Sequence, residues 1–357
     1  MDGDGITDIA VGAYDDNDGG TTRGSVWILF LDTNGTVKSE QKISDTQGGF
    51  TGTLNNGDRF GISLSGINDI DGDGVQDLLV GARYDNSGGS DKGAVWVLFL
   101  DTNGTVKWHQ KIAQGSGGLT VTFDYGDMFG TSITSIGDMD GDGVPDMAVG
   151  AYADDDVETN TGAVYIINLT DSGKVKSEQK ISMASGNFNG FIEEADFFGA
   201  SICGNYDFNQ DGINDILVGA IQNDNGGSNR GMYWMLMMNS DGTVNYHKTI
   251  SSTSNLLTSL IDNNDFLGRS ISIIDYNIQN NTAKIVISSA EDDDGATDAG
   301  AVYVLTIDLA ALKDYSNNIF INTLSFSDSI TYELEFRGDS ASFTTKSIVT
   351  MLINIVD

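Results

Sequence analysis

The hydrophobic and polar positions of this chain predict short strands separated by polar, glycine-rich loops. Residues 94–100 are apolar at every position, whereas residues 106–112 alternate between polar and apolar side chains. A short, wholly apolar run is typical of a strand covered on both faces, and an alternating run is typical of a half-exposed strand. Asn103 and Gly104 lie between these two runs and are a strong signal for a tight turn. The sequence therefore predicts a β-hairpin here.

The same pattern returns every 69 residues, which indicates a repeated unit. In the second unit, four strands are predicted at residues 61–67, 78–82, 94–100 and 106–112. A Phe-Gly pair precedes the first strand at positions 60, 129 and 198, and Leu267 replaces the Phe in the fifth unit. A Gly-Ala pair ends the second strand at positions 12, 81, 150 and 219. The units lie near residues 1–57, 58–126, 127–195, 196–264 and 265–326.

Units of four strands predict an all-β fold, a β-propeller with one four-stranded blade of about 69 residues per unit. Sheets stacked face to face around an axis cover both faces of an apolar strand and leave only short edges. A single proline and 45 glycines in 357 residues agree with an array of strands and turns. A linear solenoid and a sandwich are the alternatives, and four strands in nearly 70 residues favour the propeller.

An acidic loop between the first and second strands is the strongest functional signal. Positions one, three and five carry Asp or Asn, and position nine carries Asp. With a backbone carbonyl at position seven, these oxygens would form a cage for a hard cation, and the glycine at position six permits the sharp turn. The candidate ligands in three units are Asp69, Asp71, Asp73, Val75 and Asp77; Asp138, Asp140, Asp142, Val144 and Asp146; and Asp207, Asn209, Asp211, Ile213 and Asp215.

The chemistry of this oxygen-only ligand set favours Ca²⁺. Zinc and copper prefer nitrogen or sulfur, and Mg²⁺ gives up its waters reluctantly. Like charges about 4 Å apart repel by roughly 4 kcal/mol at an effective dielectric near 20, so the loop needs a counter-charge. An EF-hand requires a bidentate Glu at position twelve and flanking helices, whereas position twelve of the second loop is Val80, within a predicted strand.

These motifs in this order resemble the FG-GAP repeat, which forms the blades of the integrin α-subunit propeller and of bacterial FG-GAP surface proteins. The likeness covers roughly residues 1–310. It implies a calcium-loaded propeller with its ions on one face and ligand contacts from loops of the opposite face. Integrin propellers have seven blades, whereas five units are visible here. The five units therefore form either a closed five-bladed ring or part of a seven-bladed one.

The first loop has an incomplete set of ligands. Its candidates are Asp2, Asp4, Ile6 and Asp8, without a residue at position one. We assign residues 327–357 to C-terminal strands and hypothesise that residues 347–356 pair with residues 8–13, so that Asp357 completes the first site. The alternative hypothesis is that the chain is a fragment of a larger propeller.

The fifth unit has lost its cage. Lys284 stands at position nine, and Ile278 and Asn280 replace the ligands of positions three and five. The lysine supplies a positive charge itself, so we predict no ion at residues 275–284. The cofactor expectation is thus calcium at three full sites and at a fourth, residues 2–8, that is incomplete unless the C-terminus closes it.

The overall charge limits the class of partner. The chain has 52 acidic and 18 basic residues and a formal net charge of −34. Such a surface repels nucleic acid and anionic membranes, and no apolar run is long enough to insert into a bilayer. We expect an extracellular or cell-surface protein. No signal peptide precedes the first acidic loop, so we interpret the chain as trimmed or as a fragment.

Aromatic residues in the loops between one unit and the next are candidates for ligand contact. These loops are long and differ from each other, and function varies most in such loops. The candidates are Phe50, Phe123, Tyr125, Phe188 and Phe191. Exposed aromatic residues suit a protein or glycan ligand, but packing between blades explains them equally well.

The sequence favours a non-catalytic module that binds a protein or glycan ligand in adhesion. His109 and His247 share one repeat position, and no nucleophile recurs with them, so we predict no enzyme activity. The alternatives are a propeller scaffold of a larger secreted enzyme and a structural subunit of a surface layer or filament. The tripeptide at residues 337–339 spells an integrin-recognised motif, and short motifs of this kind arise often by composition.

Overall fold

The protein is described here by a computed structural model, which covers residues 1–254, 257–293 and 299–313, together with the backbone of residues 321–326. Five sheets follow one another along these residues, one for each repeat unit. The strands of each sheet pair in chain order, and every pair within a sheet is antiparallel. The predicted five-bladed, all-β propeller is confirmed.

The blades have the following strands. Blade 1 contains β1 (Ile9–Ala13), β2 (Ser25–Leu31) and β3 (Val37–Ile43). Blade 2 contains β4 (Leu64–Ile67), β5 (Asp77–Ala82), β6 (Ala94–Leu100) and β7 (Val106–Ala113). Blade 3 contains β8 (Phe129–Gly137), β9 (Asp146–Ala151), β10 (Ala163–Leu169) and β11 (Val175–Ile181).

Blades 4 and 5 continue the pattern. Blade 4 contains β12 (Phe198–Tyr206), β13 (Asp215–Ala220), β14 (Met232–Met238) and β15 (Val244–Ser251). Blade 5 contains β16 (Leu267–Asn277), β17 (Thr282–Ser289), β18 (Ala301–Asp308) and β19 (Ile321–Phe326). A short 3-10 helix, Leu309–Lys313, follows β18. Blade 1 has three strands among the described residues and the other blades have four.

Apolar cores lie between consecutive blades and hold them together. Between blades 1 and 2, for example, Val26 and Ile28 of β2 share a core with Leu78 and Val80 of β5. Equivalent cores join blades 2 and 3, blades 3 and 4, and blades 4 and 5. Each fully buried Val, Leu or Ile contributes about 1.5–3 kcal/mol, so blade stacking is a main source of stability.

The Phe-Gly pairs connect each blade to the one before it. Phe60 forms a parallel backbone bridge with Gly24 of blade 1, and Phe129 forms the same bridge with Gly93 of blade 2. Gly93 has a φ of +83° and no Cβ, which lets the carbonyl oxygen of Phe129 approach it closely. Gly24 and Gly93, which lie 69 residues apart in the sequence, therefore serve contact between blades.

The third strand of a blade was predicted to be covered on both faces, and this holds only for the middle blades. Every residue of β6 and of β14 is buried, and β10 has one half-buried residue. In β2 and β18, alternate residues are half-buried or exposed, such as Val302 at 46%. Among the described residues, blades 1 and 5 each share an apolar core with only one neighbour, which explains the difference.

The five blades surround a central cavity of about 110 Å³. Each blade contributes to its lining, with Tyr14 from blade 1 and one serine from each of the others, Ser63, Ser132, Ser201 and Ser270. Ser63, Ser132 and Ser201 each donate a hydrogen bond to a glycine carbonyl of the next blade (2.8, 2.7 and 2.8 Å). The cavity is therefore a feature of the assembled blades.

Three predictions fall outside the described residues. These are the pairing of residues 347–356 with β1, the role of Asp357, and the tripeptide at residues 337–339. In the described part of the chain, no helix has the length and apolar character needed to cross a membrane.

Candidate metal sites

The Asp at position one of the acidic loops in blades 2, 3 and 4 organises the loop backbone. In blade 2, Asp69 Oδ1 accepts hydrogen bonds from the N–H groups of Gly72 (2.7 Å) and Asp73 (3.0 Å), and Asp69 Oδ2 accepts one from Gly74 (2.6 Å). Asp138 makes the equivalent contacts in blade 3. These bonds close the loop into a tight turn, and Gly74 adopts a φ of +89° there.

Carboxylates converge in the acidic loops of blades 2 and 3. One ligand oxygen from each of Asp69, Asp71 and Asp77 lies within 4.8 Å of the others, and the equivalent residues of blade 3 meet the same limit. Oxygen donors at this spacing fit a hard divalent cation, since Ca²⁺ takes 6–8 oxygen ligands at about 2.3–2.6 Å. The residues present therefore fit calcium, with Asp69, Asp71 and Asp77 as the carboxylates that would hold it in blade 2.

The closing Asp at position nine is buried and ties the loop to the blade. Asp77 Oδ2 accepts a hydrogen bond from the N–H of Ile70 (2.9 Å), and its Oδ1 accepts one from the N–H of Leu100 at the end of β6 (3.1 Å). Asp146 and Asp215 repeat both contacts in blades 3 and 4. The loop is thus fixed to the end of the third strand by one carboxylate.

Burial also changes the acidity of these closing residues. Burial raises the pKa of Asp77 to about 7, that of Asp146 to about 6 and that of Asp215 to about 8. The backbone hydrogen bonds to these carboxylates act in the opposite direction and lower the pKa. A carboxyl whose pKa is raised in this way keeps its proton to a higher pH than a free aspartate does when no cation is near. A divalent cation would displace that proton, so its binding should weaken as the pH falls.

A lysine from the outer strand reaches the acidic loop in three blades. Lys107 of β7 pairs with the carboxylates of Asp71 (2.8 Å) and Asp73. Lys176 and Lys38 make the equivalent pairs in blades 3 and 1. The hydrogen bond from Lys107 lowers the pKa of Asp73, which lies on the exposed side of the loop. The position-five carboxylate is therefore shared between a lysine and any bound cation.

Replacing Lys107 with Met is expected to strengthen calcium binding in blade 2, because the ammonium group competes for Asp71 and Asp73. Exposed ion pairs are worth about 0.2–1 kcal/mol, so the affinity should rise by up to about fivefold. Titration calorimetry measures this change. Lys111→Met is the matched control, since Lys111 lies on the same strand but pairs with Asp85 in another loop. Unchanged or weaker calcium binding in the Lys107 variant would contradict the competition.

The loops of blades 4 and 1 differ from this arrangement. In blade 4, Asn209 stands in place of one carboxylate and donates a hydrogen bond to Asp211 (2.9 Å). In blade 1, the terminal amine of Met1 donates to Asp8 (2.8 Å), in the position that the Ile70 N–H occupies in blade 2. Asp2 and Asp4 both pair with Lys38. Asp357, the predicted first ligand of this loop, lies outside the described residues.

The fifth unit has a hairpin where the other blades have the acidic loop. The register of β16 and β17 continues through the pairs Asp275–Lys284 and Asn277–Thr282, which leaves only a short turn. Lys284 Nζ lies 3.7 Å from Asp275 Oδ2, so the lysine pairs with the residue just before position one, which is Tyr276 in this unit. That no ion binds at residues 275–284 stays a prediction.

Three of the five aromatic residues predicted to contact ligand are core residues. Phe50, Phe123 and Phe188 are buried. Each packs against the Phe of a Phe-Gly pair and against the aromatic residue of a third strand; Phe50, for example, lies 5.2 Å from Phe60 and 5.0 Å from Trp96. The expectation that they are exposed was wrong, and the alternative of packing between blades is correct for them. Tyr125 and Phe191 are 74% and 69% exposed and remain candidates.

The two repeated histidines belong to the same aromatic clusters. His109 packs against Phe50 and Trp96, and its Nε2 lies 3.2 Å from Thr51 Oγ1. His247 has the equivalent position in blade 4. Burial lowers the pKa of both imidazoles. These contacts give both histidines a packing role.

A group of residues that the sequence analysis missed lies at the other end of the second strands. β5 begins at Asp77 beside the acidic loop and ends at Ala82, so Arg83 lies on the opposite face of the propeller. Tyr14 and Tyr152 have the same repeat position in blades 1 and 3, and all three residues line the central cavity. The signal in the sequence was the residue that follows each Gly-Ala pair, which is Tyr14, Arg83, Tyr152 and Ile221 in blades 1 to 4.

The fold, its repeats and its acidic loops define the class of protein. The FG-GAP repeat family model matches residues 60–98 and 129–167. The chain is therefore a β-propeller that contains FG-GAP repeats, as the motifs indicated.

Integrin α chains are among the proteins that this chain resembles. It is 35% identical to human integrin alpha-11 over 169 residues, which are 47% of this chain and 13% of that protein. It is 31% identical to integrin alpha-3 of Cricetulus griseus over 198 residues, which are 56% of this chain and 17% of that protein. Integrin alpha-2 of Bos taurus is 35% identical over 167 residues, or 46% and 13% of the two chains. The likeness thus spans less than a fifth of each relative.

Proposed function

We propose that this chain is a calcium-loaded, non-catalytic binding module that acts in adhesion, outside the cell or at its surface. It would present the loops of one propeller face to a protein or glycan ligand. The observation that carries this proposal is the convergence of carboxylates in the acidic loops of blades 2 and 3. The likeness to integrin α chains supports a role in adhesion.

The calcium ligands that we propose are those of the acidic loops. They are Asp69, Asp71, Asp73, the Val75 carbonyl and Asp77 in blade 2, with the equivalent residues in blades 3 and 4. In blade 1, Asp2, Asp4, the Ile6 carbonyl and Asp8 would need a further ligand, and Asp357 remains our proposal for it. β1 has four half-buried residues of five, whereas β5, β9 and β13 are wholly buried, as expected if another strand pairs with β1.

The two faces of the propeller have different roles in this proposal. The acidic loops lie at one end of the second strands, where a bound ion would fix the loop and the adjoining blade. The loops at the other end carry Tyr125 and Phe191, the two exposed aromatic candidates. A rigid, ion-stabilised scaffold with variable loops on the opposite face suits recognition of a large ligand.

Titration calorimetry with calcium tests the metal part of this proposal. We expect three ions per chain, or four if Asp357 completes the first site; a count of three would contradict the role of Asp357. Asp73→Ala should remove or weaken one site and leave the others unchanged, because each loop belongs to a separate blade. The Tyr125→Ala variant is a control that alters an exposed residue away from the loops. Absence of calcium binding heat would contradict the proposal.

Ligand capture tests the binding part. The protein is applied to a glycan array and to extracellular matrix proteins, once with millimolar calcium and once with chelator. We expect at least one ligand that is retained in calcium and lost in chelator, since the loops depend on the ions for their position. Retention of no ligand under either condition, by a folded and calcium-loaded protein, would contradict a binding role.

A further inference from the structure

We propose that the central cavity, at its mouth on the face opposite the acidic loops, binds a carboxylate group through Arg83 and Arg269. This assignment rests on the proposed role as a binding module and names the chemistry of its ligand. Both arginines line the cavity, one from blade 2 and one from blade 5. Residues so far apart in the sequence line one cavity because all five blades border it.

Arg83 is held in place by aromatic rings while one of its donors has no partner. Its guanidinium lies over the rings of Tyr84 (4.9 Å) and Tyr152 (5.9 Å). Its Nε is buried and makes no hydrogen bond within the described residues. A buried donor without a partner costs about 1–3 kcal/mol, so a group that accepts a hydrogen bond there has a clear gain.

The charge around these arginines is unusual for this protein. In a chain with a net charge of −34, none of the described residues that line the cavity is acidic. No ion pair joins Arg83 or Arg269 to a described carboxylate, whereas Arg59, which lies over the rings of Tyr14 and Tyr84, pairs with Asp15 (3.1 Å). Two guanidinium groups without counter-ions form a local anion site, and the planar fork of arginine matches a carboxylate.

The surrounding protein selects a small group with a single charge. The cavity of about 110 Å³ is smaller than the roughly 300–1,000 Å³ of pockets that enclose a drug-sized ligand, so it accepts one side chain or a small acid. The acidic surface repels a polyanion, and it disfavours a dianion such as phosphate more than a monoanion. A carboxylate is small enough for the cavity and carries a single negative charge. It can belong to an Asp or Glu of a protein partner or to a free organic acid.

The backbone that precedes each Phe-Gly position has a repeated left-handed residue. The residue before each Phe-Gly position has a positive φ although it is not glycine: Arg59 (56°), Met128 (58°), Phe197 (57°) and Phe266 (55°). Such conformations cost about 1–2 kcal/mol per residue, and they lie beside the bridges that dock each blade on the one before it. The side chains of Arg59 and Phe197 extend the aromatic and cationic contacts around Tyr14, Tyr84 and Tyr152.

NMR of the full chain tests the carboxylate site directly. Sodium acetate is titrated against the calcium-loaded, ¹⁵N-labelled protein at constant ionic strength while the arginine Nε–Hε signals are followed. We expect saturable shifts of the Arg83 and Arg269 signals, and at least tenfold weaker binding in Arg83→Gln. Acetamide should cause no shift. Arg23→Gln is the matched control, because Arg23 already pairs with Asp45 (2.5 Å), and it should bind acetate as the wild type does.

A capped Gly-Asp-Gly peptide distinguishes the source of the carboxylate. Tighter binding of this peptide than of acetate would indicate an acidic side chain of a protein partner, and tighter binding of acetate would indicate a free acid. An Arg83 signal that does not respond to either probe, an Arg83→Gln variant with undiminished binding, or phosphate that binds more tightly than acetate would each overturn the assignment. If calcium-dependent ligand capture persists under those outcomes, the proposed function stands and the ligand contacts lie elsewhere.

Discussion

Transfer of the protein from millimolar calcium into excess chelator is expected to lower its melting temperature by roughly 6 °C. Extracellular calcium modules bind with a Kd near 0.1–1 mM, so at about tenfold excess over Kd each site adds about 1.4 kcal/mol. Three full sites then add about 4 kcal/mol, and each kcal/mol shifts the melting temperature by about 1.4 °C in a chain of this length, because the entropy of unfolding grows with length. Scanning calorimetry or thermal fluorescence measures the shift.

Two controls separate calcium from general ionic effects. Magnesium at the same concentration should restore little of the stability, because it resists losing its waters to an all-protein cage. Asp73→Ala should reduce the calcium-dependent shift by about a third, since it disables one of three full sites. Identical melting curves with calcium and with chelator would contradict a structural role for the ion.

Replacing Gly93 with Ala is expected to destabilise the protein by more than about 4 kcal/mol, which is exceptional for one methyl group. A Cβ at Gly93 would overlap the carbonyl oxygen of Phe129, where blade 3 docks on blade 2. The backbone there cannot move without opening the core between these blades. Urea denaturation of the calcium-loaded protein measures the loss.

Gly126→Ala is the control that separates this overlap from backbone strain. Gly126 has nearly the same φ as Gly93, +85° against +83°, but nothing lies within 4 Å of the position its Cβ would take. Its replacement should cost only the strain of a left-handed residue, about 1–2 kcal/mol. Equal losses in the two variants would show that blade docking does not depend on the missing Cβ at Gly93.

The strand pattern of the middle blades could be predicted from the sequence because local periodicity decides it. Residues 94–100 form β6 with the predicted bounds. The first strand of the same blade begins later than predicted, at Leu64, whereas β8 and β12 begin at Phe129 and Phe198 although their glycines have nearly the same positive φ as Gly61. A glycine at the start of a strand does not reveal which conformation the tertiary contacts will select.

The acidic loops could also be found from the sequence, since their ligands lie within nine residues of each other. The lysines that reach them could not, because Lys107 meets Asp71 only after β7 pairs with β6 and passes the end of the loop. The burial of Phe50 could not be predicted from the sequence either, because it depends on Trp96 of the next blade. The same limit applies most to Arg83 and Arg269, which line one cavity only because blades 2 and 5 both border it.

The most direct test of the calcium account is a crystal structure of this chain grown in millimolar calcium. The account predicts an ion in blades 2, 3 and 4, at about 2.3–2.6 Å from the oxygens of positions one, three, five, seven and nine. In blade 2, the ammonium group of Lys107 should then lie farther from Asp73. Acidic loops that contain only water, with Lys107 still paired to Asp71 and Asp73 despite the calcium, would contradict the account.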